Sequence, residues 1–93
     1  MNRLSQAEIQ DQLLKVAGWS LNEAGEITRT FELAGFPEAL VFVNAVGWLA
    51  EQANHHPNID IRYRRVTLTL STHDAGGLTD KDFELAAQIN ALV

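Results

Sequence analysis

The chemistry open to this chain is concentrated in its three histidines. His55 and His56 are adjacent and followed by Pro57, and His73 ends a second polar junction, Ser71-Thr72-His73-Asp74. Imidazole titrates near neutrality, so a pair of histidines can deliver one proton and remove another in the same turnover. Two carboxylates have spacings that could help. Glu51 precedes His55 by four residues, so the two share a face wherever a helix persists between them. Asp82 follows Thr79 by three, the spacing of a capping box. Each residue also has a plainer use. A histidine after a helix can simply face the terminal carbonyls, His73 suits a surface turn, and the cap alone accounts for Asp82.

Other chemistries find less support. Neutral imidazoles ligate zinc and iron, and His55, His56 and His73 could supply three ligands, but there is neither a His-x-x-x-His pair nor an HExxH motif. With no cysteine, disulfides, thiol catalysis, iron–sulfur clusters and cysteine-ligated zinc are excluded. Gly76-Gly77 is neither GxGxxG nor a Walker loop, and Ser71 lies outside any nucleophile elbow. A net charge of −5 repels phosphate backbones. Arg62, Arg64 and Arg65 form the only basic cluster. Strand alternation places Arg62 with Arg64 on one face and Arg65 on the other, a solvated sheet surface rather than a nucleic-acid site.

The elements that must position these residues are legible from periodicity. Leu4-Ser5-Gln6-Ala7-Glu8-Ile9 combines a capping box, Ser5 with Glu8, and a hydrophobic staple, Leu4 with Ile9. Ile9, Leu13 and Val16 continue as a stripe, predicting a helix over 5–17 that Gly18 ends. Trp19 and Leu21, then the alternating run 26–33, predict a hairpin with Ile27, Phe31 and Leu33 toward the core. Pro37 suits the first position of a second helix, running to about Ala53 on a stripe of Phe42, Ala45, Val46, Leu49 and Ala53. Val41 and Trp48 lie off that stripe. A helix this apolar is covered either by the sheet beneath it or, in part, by a second subunit. Pro57 prevents continuation, 59–63 and 66–70 alternate as strands, and Thr79 with Asp82 starts a last helix carrying Phe83, Ala86, Ala87, Ile89 and Asn90. The order α-β-β-α-β-β-α implies an α+β fold, a four-stranded antiparallel sheet with helices on one face. Ninety-three residues of ordinary composition (46% hydrophobic, 20% charged) suit one domain over 1–93 with no linker. Met1 to Leu14 lacks the basic start and apolar run of a signal peptide, and Ala39–Ala50 is shorter than a membrane span, so cytoplasm is the expected compartment.

Taken together, Glu51-Gln52-Ala53-Asn54-His55-His56-Pro57, Tyr63 and Val66, Thr69-Leu70-Ser71-Thr72-His73, and Gly77-Leu78-Thr79 with Asp82 resemble the pterin-4a-carbinolamine dehydratases. The likeness is strongest from Phe36 onward, and the length and element order match over the whole chain. A lone His-His-Pro would be weak; the combined spacing is specific. The resemblance implies a hydro-lyase converting 4a-hydroxytetrahydropterin to quinonoid dihydropterin and water, recycling the cofactor of aromatic amino acid hydroxylases. It implies no metal or organic cofactor, and a homo-dimer or homo-tetramer in which the second helix, about 37–53, is a candidate interface. Carried over by position, His55 and His73 are the acid–base groups, and His56 chiefly holds substrate with some part in proton transfer. Asn54, Ser71, Thr72 and Asp74 line the pocket, and Glu51 and Asp82 have supporting, orienting roles. Animal members also serve as dimerisation cofactors of a homeodomain protein, and a non-catalytic binding partner on the same fold is the alternative reading. One departure is Ile59, where animal members carry a tryptophan; it weakens any aromatic wall from that position.

Overall fold

The computed structural model describes residues 2–93 and shows the expected architecture. Helix α1 spans Gln6–Leu13, strands β1 and β2 span Ser20–Leu21 and Ile27–Glu32, and helix α2 spans Phe36–Ala53. Strands β3 (Asn58–Arg62) and β4 (Arg65–Leu70), a 3-10 turn at His73–Ala75 and helix α3 (Asp80–Asn90) complete the chain. The sheet is antiparallel throughout in the order β1-β2-β4-β3, so the second hairpin inserts its later strand beside β2 and leaves β3 on the edge.

Alternation decides which face of the sheet is dry. Ile27 and Phe31 of β2 and Val66, Leu68 and Leu70 of β4 are buried. They meet Ala39, Phe42, Val46 and Ala50 of α2 and Phe83, Leu85, Ala86 and Ile89 of α3 in one core. The opposite face is polar, with Thr28 across from Thr69 and Thr30 across from Thr67. The Thr30 and Thr67 hydroxyls lie 2.8 Å apart.

The structure departs from the periodic reading at two places. Helix α1 stops at Leu13 rather than 17: Lys15 and Val16 donate back three residues, to Gln12 and Leu13. This tightening turns Val16 and Trp19 into the core, while the Ala17 carbonyl accepts from Arg29 Nη1 and Asn90 Nδ2, each at 2.9 Å. Gly18, at φ 85°, completes the reversal instead of capping the helix. The basic cluster also differs. Strand β3 ends at Arg62 and β4 begins at Arg65, so Tyr63 and Arg64 form a two-residue turn and Arg62 pairs directly with Arg65. Those two share the open face, contrary to simple alternation through the run. Each is beside an acid, Asp60 at 3.1 Å and Glu32 at 3.6 Å.

Helix α2 is covered on one side only. Its Ala39, Phe42, Val46 and Ala50 are buried, whereas Val41 and Trp48 remain 70% and 68% exposed in the single chain. Among the described residues no helix is long and apolar enough to cross a membrane.

Candidate active site

Three element ends meet on one side of the core: the last turn of α2, the end of β4, and the start of α3. Asn54 ends α2 in the left-handed conformation (φ 50°, ψ 44°), which a short polar side chain tolerates better than most. That reversal breaks the helical register between Glu51 and His55. Glu51 therefore does not orient His55. Its Oε1 lies 2.9 Å from His56 Nε2, and both side chains are exposed.

His55 turns inward and is buried, although Asn54 and His56 on either side of it are exposed. Its partner is Asp82: Nε2 sits 2.5 Å from Oδ1. Asp82 is fully buried, and its other oxygen is occupied. Oδ2 accepts the Thr79 N–H at 2.9 Å and the Thr72 hydroxyl at 2.8 Å. Because Thr72 spends its single proton on Asp82, the Thr79 hydroxyl, 2.8 Å away, donates to Thr72. Asp82 is thus both half of the α3 capping box and a fixed acceptor for the imidazole. With Asp82 accepting, Nε2 of His55 carries a ring proton, and in the neutral imidazole Nδ1 is then the acceptor nitrogen. No buried side-chain nitrogen or oxygen among the described residues lacks a hydrogen-bond partner. Since Nδ1 has none among the described residues, it reaches solvent, and His55 is one of the residues lining the cavity described next.

His73 opens the 3-10 turn after β4 and is exposed. Beside it lies a cavity of about 320 Å3 whose wall contains Asn54, His55, His56, Ser71, Thr72, His73 and Asp74, together with Lys81. Its size falls in the range of small-molecule sites, about 300–1,000 Å3. Larger concavities lie on the open sheet face, along α2 and between residues 3–9 and 76–78, but none of them contains a histidine. Ile59 borders the α2 groove rather than this cavity, so the missing tryptophan does not alter the walls described here. Lys81 is the residue that sequence reasoning missed. It is the second residue of α3, next to Asp82, and its place at the rim follows only once Asp82 is known to meet His55 across 27 positions. Among the described residues no group of three or more His, Cys, Asp or Glu is disposed to hold a metal ion.

The arrangement is a polar cavity with three imidazoles on its wall, one of them held through its far nitrogen by a buried carboxylate. Residues 2–92 match the family model described as pterin 4 alpha carbinolamine dehydratase. The chain belongs to the pterin 4-alpha-carbinolamine dehydratase family. A relative from Chloroflexus aurantiacus, provisionally named as a member, is 61% identical over 93 residues, covering 100% of this chain and 99% of its own. One from Acidobacterium capsulatum, similarly named, is 52% identical over 93 residues and covers both chains completely. The fold agrees with that of a transcriptional coactivator/pterin dehydratase from Brucella melitensis, at a TM-score of 0.94 and 35% identity over 98% of each chain. A pterin dehydratase-like protein that serves as a RuBisCO assembly factor shares the fold at a TM-score of 0.68 and 23% identity, over 81% of this chain and 88% of its own. The dehydratase family is thus reached from the family model and from relatives over the full length.

Proposed function

We propose that this chain catalyses loss of water from a 4a-hydroxytetrahydropterin to give quinonoid dihydropterin. The observation that carries the reading is the convergence of His55, His56 and His73 on one cavity, with His55 held by buried Asp82. In the reaction the bond between C4a and its hydroxyl oxygen breaks. The oxygen takes up a proton and leaves as water, the neighbouring ring nitrogen loses its proton, and its electron pair forms the new C=N bond. Those electrons come from the substrate itself, so the protein has only to move two protons. His55, with Nε2 committed to Asp82, offers Nδ1 as the base for the ring nitrogen. His73, on the opposite junction, supplies the proton to the departing oxygen. His56, held by Glu51, and Lys81 at the rim bind the heterocycle, while Asn54, Ser71, Thr72 and Asp74 complete the wall through side chain or backbone. Positioned acid–base groups contribute about 10²–10⁴-fold, a fitting load for a substrate that expels its own leaving group.

In this reading the substrate arises where aromatic amino acid hydroxylases consume tetrahydropterin, and the chain recycles their cofactor. It acts as a homo-oligomer, with the exposed Val41–Trp48 side of α2 as the surface that associates. The test is the disappearance of freshly generated 4a-hydroxytetrahydropterin, followed by ultraviolet absorbance with and without wild-type protein. Acceleration over the uncatalysed rate supports the dehydratase. Absence of acceleration by folded protein favours the second reading, a binding partner on the same fold. The uncovered apolar side of α2 and the coactivator and assembly-factor roles of structurally similar proteins are what favour that reading.

A further inference from the structure

The three imidazoles are not held alike. His55 has Asp82 and His56 has Glu51, whereas the ring of His73 makes no hydrogen bond among the described residues. The place of His73 is therefore set by the backbone of its turn. That turn is closed across its base, Thr72 N–H to the Gly77 carbonyl at 3.1 Å and Gly77 N–H to the Thr72 carbonyl at 3.3 Å. Inside it, Ala75 N–H reaches the Thr72 carbonyl and Gly76 N–H the His73 carbonyl.

What grips the turn from outside is a segment remote in sequence. Leu4 N–H donates to the Leu78 carbonyl at 2.8 Å, and Arg3 Nη1 donates to the Gly76 carbonyl at 3.3 Å. The gripping segment is itself anchored, since Leu4 packs against the core and Ser5 caps α1. The Arg3 stem lies flat on Gly77. A Cβ added there would fall 2.5 Å from Arg3 Cδ and 2.9 Å from Cγ. Gly77 is not in the left-handed region, so what a Cβ there would disturb is the close passage of Arg3 and not the backbone.

We propose that Arg3 is a positioning residue for the dehydration: with Leu4 it clamps the 72–78 turn and so sets where His73 stands in the cavity. The inference rests on the acid–base reading of His73, but one of its tests does not. Arg3→Ala removes the guanidinium and the stem, and Gly77→Ala pushes the same side chain aside without deleting it. The expected result is faster amide hydrogen exchange at Gly76 and Gly77 in both variants, with core amides such as that of Leu68 unchanged. The expected kinetic result is a fall in kcat/KM of about three- to ten-fold, the range set by one hydrogen bond of ordinary strength. Combining Arg3→Ala with Gly77→Ala adds nothing further, and in a His73→Ala background Arg3→Ala leaves the residual rate as it was. A purely structural role would lower the rate in either background. Unchanged exchange at Gly76 and Gly77, or a rate loss undiminished in the His73→Ala background, overturns the proposal. If wild-type protein shows no turnover, the dehydratase reading fails on its own and exchange alone decides whether the clamp exists.

Discussion

At the scale of single residues, the site works by division between two oxygens of one carboxylate. Asp82 Oδ2 is consumed by Thr72 and Thr79, which leaves Oδ1 to define the tautomer of His55. Asp82→Asn keeps the shape but gives one position a donor in place of an acceptor. We expect it to lower the dehydration rate by on the order of 10²-fold, the lower end of what acid–base catalysis supplies. Asp82→Ala strands the His55 ring, the Thr72 hydroxyl and the Thr79 N–H, and should also cost about 2–4 kcal/mol in urea unfolding. A rate unchanged in Asp82→Asn would show that His55 needs no orienting carboxylate. Glu51 and His56 are exposed, so Glu51→Ala should change KM by a few-fold and leave kcat nearly untouched. The histidines were visible in the sequence because three imidazoles at polar junctions stand out by type. Their partners were not. Pairing Glu51 with His55 assumed an unbroken helix, and one left-handed residue, Asn54, redirected Glu51 to His56. The match of His55 with Asp82 depends on how α3 docks beside the end of α2, which no local pattern encodes.

At the scale of elements, local signals and tertiary demands can be told apart in α1. Its start was legible because the capping box is a local device, and both of its hydrogen bonds form: Glu8 N–H to Ser5 Oγ at 3.2 Å and Ser5 N–H to Glu8 Oε1 at 2.8 Å. Its end was not, because Val16 follows the helical spacing while the core requires it in a turn. Ser5→Ala should lower stability by about 1 kcal/mol, as loss of an N-cap generally does, measured by thermal or urea unfolding. The Ser5 backbone N–H, and secondarily its hydroxyl, hold the Glu8 carboxyl below its usual value. A depressed carboxyl contributes stability that is complete above its unfolded-state value and disappears as pH falls through the lower folded one. Wild type should therefore exceed Glu8→Gln in urea midpoint at pH 6, and the gap should shrink as the pH falls below the ordinary carboxylate range. A gap that persists at the lower pH would mean that the carboxylate charge is not what the cap uses. The β3–β4 hairpin teaches a similar lesson. Alternation revealed both strands, but placing Arg62, Arg64 and Arg65 required knowing that Tyr63 and Arg64 form the turn.

At the scale of the whole molecule, one core carries the sheet and two helices, and the site sits where three of those elements end. The element order was readable because each strand alternates and each helix has a stripe, so the layer architecture follows from burying one face of each. Leu68, central in β4 and wholly buried, should cost about 2–5 kcal/mol when cut to alanine. The breadth of apolar sequence in α2 is explained only in part by the single chain, which leaves Val41 and Trp48 in water. Sedimentation should find wild type larger than one chain, and Trp48→Glu with Val41→Glu should shift it toward the monomer; a monomeric wild type would contradict association through α2. The central claim is that two junctions of this scaffold present His55 and His73 to one substrate. It is tested most directly by single-turnover dehydration of 4a-hydroxytetrahydropterin with wild type, His55→Ala and His73→Ala, each corrected for the uncatalysed rate. The expected result is acceleration by wild type and a fall of at least about tenfold in each variant, within what one acid–base group supplies. Wild-type acceleration that survives both substitutions would contradict the account.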